Sequence, residues 1–81
     1  MTLQDITKSL KMAVYAVAEK DGDYLVDAEI ALGQAEEFVL LRGGNADLIE
    51  LIRETAEAVE DRKGDYLYLL DVVLEQLEAL K

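Results

Sequence analysis

Histidine and cysteine are both missing from these 81 residues, Ser9 is the only serine, and acidic residues outnumber basic ones by 18 to 8. Without histidine, a histidine phosphotransfer bundle, a Glu-x-x-His di-iron bundle and a Ser-His-Asp triad each fail at a required residue. Ser9 follows Lys8 inside a helical stretch, whereas an acyl carrier protein needs its serine in an Asp-Ser-Leu setting at the start of an interior helix. The lack of cysteine rules out a disulfide framework and a thiol nucleophile, and accords with a reducing compartment. No run of about 18 apolar residues is present to span a bilayer, and the N-terminus lacks a basic region followed by an apolar one. The expectation is therefore a cytoplasmic chain with no membrane partner.

The shortage of cations is uneven. Residues 1 to 20 hold Lys8, Lys11 and Lys20 against Asp5 and Glu19, so the negative excess behind the net charge of −10 all lies further on. Such a surface repels phosphate backbones, and no nucleic-acid partner is expected. What the chain has instead is apolar content. At 52% apolar and 32% charged it reads as a folded, water-soluble single domain over residues 1–81. A domain this small buries a modest share of its unfolded surface, which makes any further source of apolar burial worth finding.

Helical periodicity dominates. Thr2 and Asp5 form a capping-box pattern at the start of a first helix over 3–20, with Met1 and Ile6 spaced as a hydrophobic staple. Leu3, Ile6, Leu10, Ala13 and Val17 line one face, widened by Val14. A second helix, 24–42, has its seam at Tyr24, Leu25, Ala28, Ala31, Leu32, Ala35 and Val39; the alanines should allow close approach of its neighbours. Gly33 lies off that seam and is either a tolerated flaw or a place where something packs. Arg42 complements the dipole of the last turn, and Gly43-Gly44 ends the helix. Asn45 caps a third helix, 46–62, whose seam is Leu48, Ile52, Thr55 and Val59 and whose opposite side carries Glu50, Glu54, Glu57 and Asp61. A fourth helix, 66–80, follows with Tyr66, Leu67, Leu70, Val73, Leu74 and Leu77.

The chain repeats itself. Gly22-Asp23-Tyr24-Leu25 returns as Gly64-Asp65-Tyr66-Leu67 at an offset of 42 residues, and the same offset carries Val17 onto Val59, Leu32 onto Leu74 and Gln34 onto Gln76. Solenoids of helix pairs generally need three or more repeats, whereas two hairpins close naturally into a bundle. The expected fold is all-α: an antiparallel up-down-up-down four-helix bundle built from a duplicated helical hairpin. Both Gly-Asp-Tyr turns then lie at the end opposite the termini. In each, glycine is expected to stop one helix and aspartate to cap the next.

Asp23 and Asp65 also form a candidate carboxylate pair for weak metal binding or acid-base work, beside Tyr24 and Tyr66. Capping accounts for both aspartates without a ligand. Asp21-Gly22-Asp23 opens like a calcium loop, yet Leu32 occupies the twelfth position, where a bidentate Glu is needed. No cofactor, metal site or catalytic residue is expected.

Apolar residues left over from the seams carry more. Val26, Ile30 and Gly33 point away from the second helix's seam, Tyr68 and Val72 take the equivalent side of the fourth, and Leu69 and Leu80 widen it. Met12 and Tyr15 stray similarly from the first. Val26, Ile30, Gly33, Tyr68, Leu69 and Val72 are the candidate interface residues of a non-enzymatic interaction protein, self-associating or taking a partner's amphipathic helix. The alternatives are a small acidic cytosolic chaperone or adaptor for an export or motility substrate, and the Asp23/Asp65 site.

The stretch Gly64-Asp65-Tyr66-Leu67-Tyr68-Leu69-Leu70-Asp71-Val72-Val73-Leu74-Glu75 resembles a phrase found in small, uncharacterised all-helical proteins of Gram-positive bacteria. The likeness covers one turn and half a helix, and implies a helical fold without a function.

Overall fold

A computed structural model describes residues 2–80 and shows four helices: α1 (Leu3–Glu19), α2 (Tyr24–Leu41), α3 (Ala46–Asp61) and α4 (Tyr66–Glu78). Each helix packs closely against two others, α1 on α2 and α4, α3 on α2 and α4, while the diagonal pairs α1–α3 and α2–α4 bring no two Cα atoms within 8 Å of each other among the described residues. With short turns between successive helices this is the up-down-up-down bundle, 33 × 21 × 17 Å in extent.

The helix starts follow from their caps. Thr2 Oγ1 accepts the Asp5 N–H at 3.2 Å while the Asp5 carboxylate accepts the Thr2 N–H at 3.2 Å, a closed capping box. That backbone donation, followed by the Thr2 side-chain bond, holds the Asp5 carboxyl below its ordinary value. Met1, the other half of the expected staple, lies outside the described residues. Asn45 Oδ1 accepts the Leu48 N–H at 3.2 Å to start α3, and Asp65 Oδ1 accepts the Tyr68 N–H at 3.1 Å to start α4. Asp23 stands at the N-cap of α2 without a side-chain capping bond. The two copies of the turn therefore match in position and differ in bonding.

The helix ends differ from expectation by a residue or two. Lys20 and Arg62, with φ of 53° and 55°, are themselves the left-handed residues that close α1 and α3. Their N–H groups bond the Val17 and Val59 carbonyls, and those of Asp21 and Lys63 reach back to Ala16 and Ala58, the paired bonds of a Schellman motif. Gly22 and Gly64, with φ of 59° and 65°, come two residues later and swing the chain into the next helix rather than ending the last one. In the middle turn a glycine does take the terminal role: Gly43, φ 93°, donates to Leu40 while Gly44 donates to Val39. Arg42 lies just beyond α2, its guanidinium 4.9 Å from the centre of the Phe38 ring. The last helix stops at Glu78, with Ala79 as its C-cap.

One hydrophobic core runs through the bundle. Ile6, Leu10 and Val17 of α1 meet Leu32 and Val39 of α2, Leu48, Ile52 and Val59 of α3, and Leu70, Val73 and Leu77 of α4. Fully burying a side chain such as Leu70 contributes about 1.5–3 kcal/mol. Ala28, Ala31 and Ala35 keep α2 slim, and Phe38, outside the expected seam, is buried near its C-terminal end. Thr7 is also buried though unanticipated. Its hydroxyl donates to the Gln4 carbonyl at 3.0 Å, and that of buried Thr55 to Leu51 at 2.7 Å, so neither leaves a polar group stranded.

Candidate interaction surface

Among the described residues no helix is long and apolar enough to cross a membrane, and no group of three or more His, Cys, Asp or Glu could hold a metal ion. Asp23 and Asp65 are both exposed at the starts of diagonal helices, and the Asp65 carboxylate is engaged as a cap. The molecule's distinctive chemistry lies in exposed apolar side chains.

The second helix has two apolar sides. Opposite its core face stand Val26, 51% exposed, and Ile30, 54% exposed, followed along the same line by Gly33, exposed Glu37 and Leu40. A Cβ built on Gly33 would meet no atom within 4 Å, so nothing in the chain itself packs there. Ile30 does not stand alone. Met12, 66% exposed, and Tyr15, 67% exposed, project from α1 beside it, and together with Ala13 and Ala16 they border an open groove of about 640 Å³. Asp21 and Asp27 lie at the turn end of this groove and Lys11 further along. Ser9 Oγ donates to Gln34 Oε1 at 3.3 Å, tying α1 to α2 along the same side. Beyond that bond a second, smaller depression of about 190 Å³ runs on past Gln34 and Glu37 to Leu41.

The candidate residues on α4 are elsewhere. Tyr68 is exposed, while Leu69 and Val72 are half-buried. Because α2 and α4 stand on a diagonal of the bundle, with no Cα atoms within 8 Å of each other among the described residues, the six candidates make two separate groups rather than one patch. The structure joins Ile30 instead to Met12 and Tyr15, which the period placed off the α1 seam. Exposed Leu40 and Leu41 were not anticipated as surface residues; the signal was their position one and two residues beyond seam residue Val39, at the end of the helix.

The internal repeat supplies a comparison within one molecule. The offset of 42 carries Met12 and Tyr15 onto Glu54 and Glu57, Ser9 onto Leu51, and Asp27 and Ile30 onto Leu69 and Val72. In the second hairpin Leu51, Leu69 and Val72 are thus half-buried apolar residues, the outward positions Glu54 and Glu57 of α3 are acids, and α4 keeps an exposed Tyr68 at the position of Val26. The first hairpin reverses the scheme, with polar Ser9 and Asp27 at the groove and apolar side chains outside. The fold itself does not require the exposed apolar residues of α1, since α3 holds the equivalent place in the bundle with acids there.

No protein-family model matches the chain, and neither the curated proteins nor the solved structures yield a match. The surface's own chemistry is that of a four-helix bundle with exposed apolar side chains gathered along its first hairpin.

Proposed function

We propose that this chain is a non-enzymatic helical-bundle interaction protein that self-associates through the outer side of its first hairpin. The observation that carries this is the gathering of Met12, Tyr15 and Ile30, all exposed, around one groove. Contiguous apolar surface of this kind marks interfaces, whereas singly scattered apolar residues do not. Burial there would also add apolar area to a domain whose own core is small. The cytoplasmic setting expected from the sequence belongs to the same proposal, and fractionation of native cells checks it.

Sedimentation of the wild type across micromolar to millimolar concentrations is the test. Association that Ile30→Asp abolishes and Tyr68→Asp leaves unchanged supports contact through the first hairpin. A monomer at every concentration refutes self-association. Loss on Tyr68→Asp alone moves the contact to α4.

A further inference from the structure

Along the middle of the outward side of α1 run Lys8, Met12, Tyr15 and Glu19, at spacings of four, three and four, and all four are exposed. Neither Lys8 nor Glu19 has an ion-pair partner among the described residues. The spacing is that of a coiled-coil seam, and the order is cation, apolar, apolar, anion. Turned end for end, such a stripe complements itself. The same stripe on α3, 42 residues on, is Glu50, Glu54, Glu57 and Asp61, all exposed and all carboxylates, which cannot pair with themselves in any direction.

From this we infer that the partner on the first hairpin is a second copy of the chain, docked with its α1 antiparallel across a two-fold axis. Lys8 of each copy meets Glu19 of the other, and Met12 meets Tyr15 in both halves. This inference rests on self-association through the first hairpin and specifies its register.

The chemistry favours that register over others. A two-fold interface is isologous, so each contact is made twice and a self-complementary stripe is used in full. Methionine sulfur against a tyrosine ring is a favourable central contact, and Ile30 flanks it from the neighbouring helix. A parallel arrangement would set Lys8 against Lys8 and Glu19 against Glu19. The acidic chain as a whole repels its copies, so a local match of charge is what selects this side and this direction. With few apolar side chains at its centre, the dimer should be micromolar rather than tight.

Charge reversal tests the register separately from association itself. Sedimentation equilibrium is run on the wild type, Lys8→Glu, Glu19→Lys and the double variant, with helicity and melting temperature checking that each folds. All the substituted positions are exposed, so the core is untouched. Each single variant should dimerise about tenfold more weakly, since two attractive pairs become two repulsive ones. The double variant should return to within about threefold of wild type. Glu19→Lys is decisive because it brings the net charge closer to zero, so general repulsion predicts tighter association and the register predicts looser. A dimer that Glu19→Lys tightens, or that the double variant does not restore, overturns the register and leaves association through the hairpin standing. A monomeric wild type overturns both.

Discussion

Replacing Gly33 with alanine should make the protein more stable, and the size of the gain can be worked from the structure. Gly33 lies in the interior of α2, exposed, at ordinary helical geometry, and the added methyl group would meet no atom within 4 Å. With no clash to oppose it, the change keeps only the helix-propensity term, about 1 kcal/mol from the larger backbone entropy that glycine loses on folding. For a domain of this size about 1 kcal/mol corresponds to a rise in melting temperature of roughly 4–8 °C. Thermal unfolding followed by circular dichroism measures it, at a concentration low enough that association does not add its own stabilisation. Urea unfolding gives the same quantity independently as a shift in midpoint at constant slope. A melting temperature that stays level or falls at low concentration would refute the premise that the space beside Gly33 is open.

Two further perturbations probe the turns. Arg62 sits at φ 55°, where a side chain costs about 1–2 kcal/mol, so Arg62→Gly should stabilise by up to about 1 kcal/mol once glycine's own entropy is subtracted; loss of stability in urea unfolding would contradict the left-handed assignment. Asp65→Ala should cost about 1 kcal/mol through loss of the bond to the Tyr68 N–H, while Asp23→Ala should cost clearly less because no such bond exists; equal losses would mean that the two caps are alike.

Much of this fold is legible along the chain because helices are local. Thr2, Asn45 and Asp65 cap the residues three positions ahead of them, and the apolar period carries Leu10, Ile52 and Leu70 to the core in the right order. Where reading failed, the missing information was three-dimensional or conformational. Glycine is the default left-handed residue, which misplaces the helix stop at Gly22 and Gly64 when Lys20 and Arg62 take that geometry two residues sooner. Asp23 and Asp65 occupy the same place in the repeat, yet only one carboxylate is oriented to cap. Phe38 lies off the regular seam and still enters the core near the end of the alanine-lined stretch.

The sequence by itself determined four helices, their order and the duplicated hairpin, since hydrogen bonds within helices and side chains three or four apart are set by neighbours along the chain. It also determined that α1 carries a cation, two apolar residues and an anion where α3 carries four acids. Which leftover apolar residues stand together was decided only by the tertiary structure. Val26 and Val72 belong to equivalent helices, yet the bundle sets α2 and α4 on a diagonal and brings Ile30 beside Met12 and Tyr15 instead. Adjacency between helices depends on how the bundle closes, and periodicity within one helix carries no record of it.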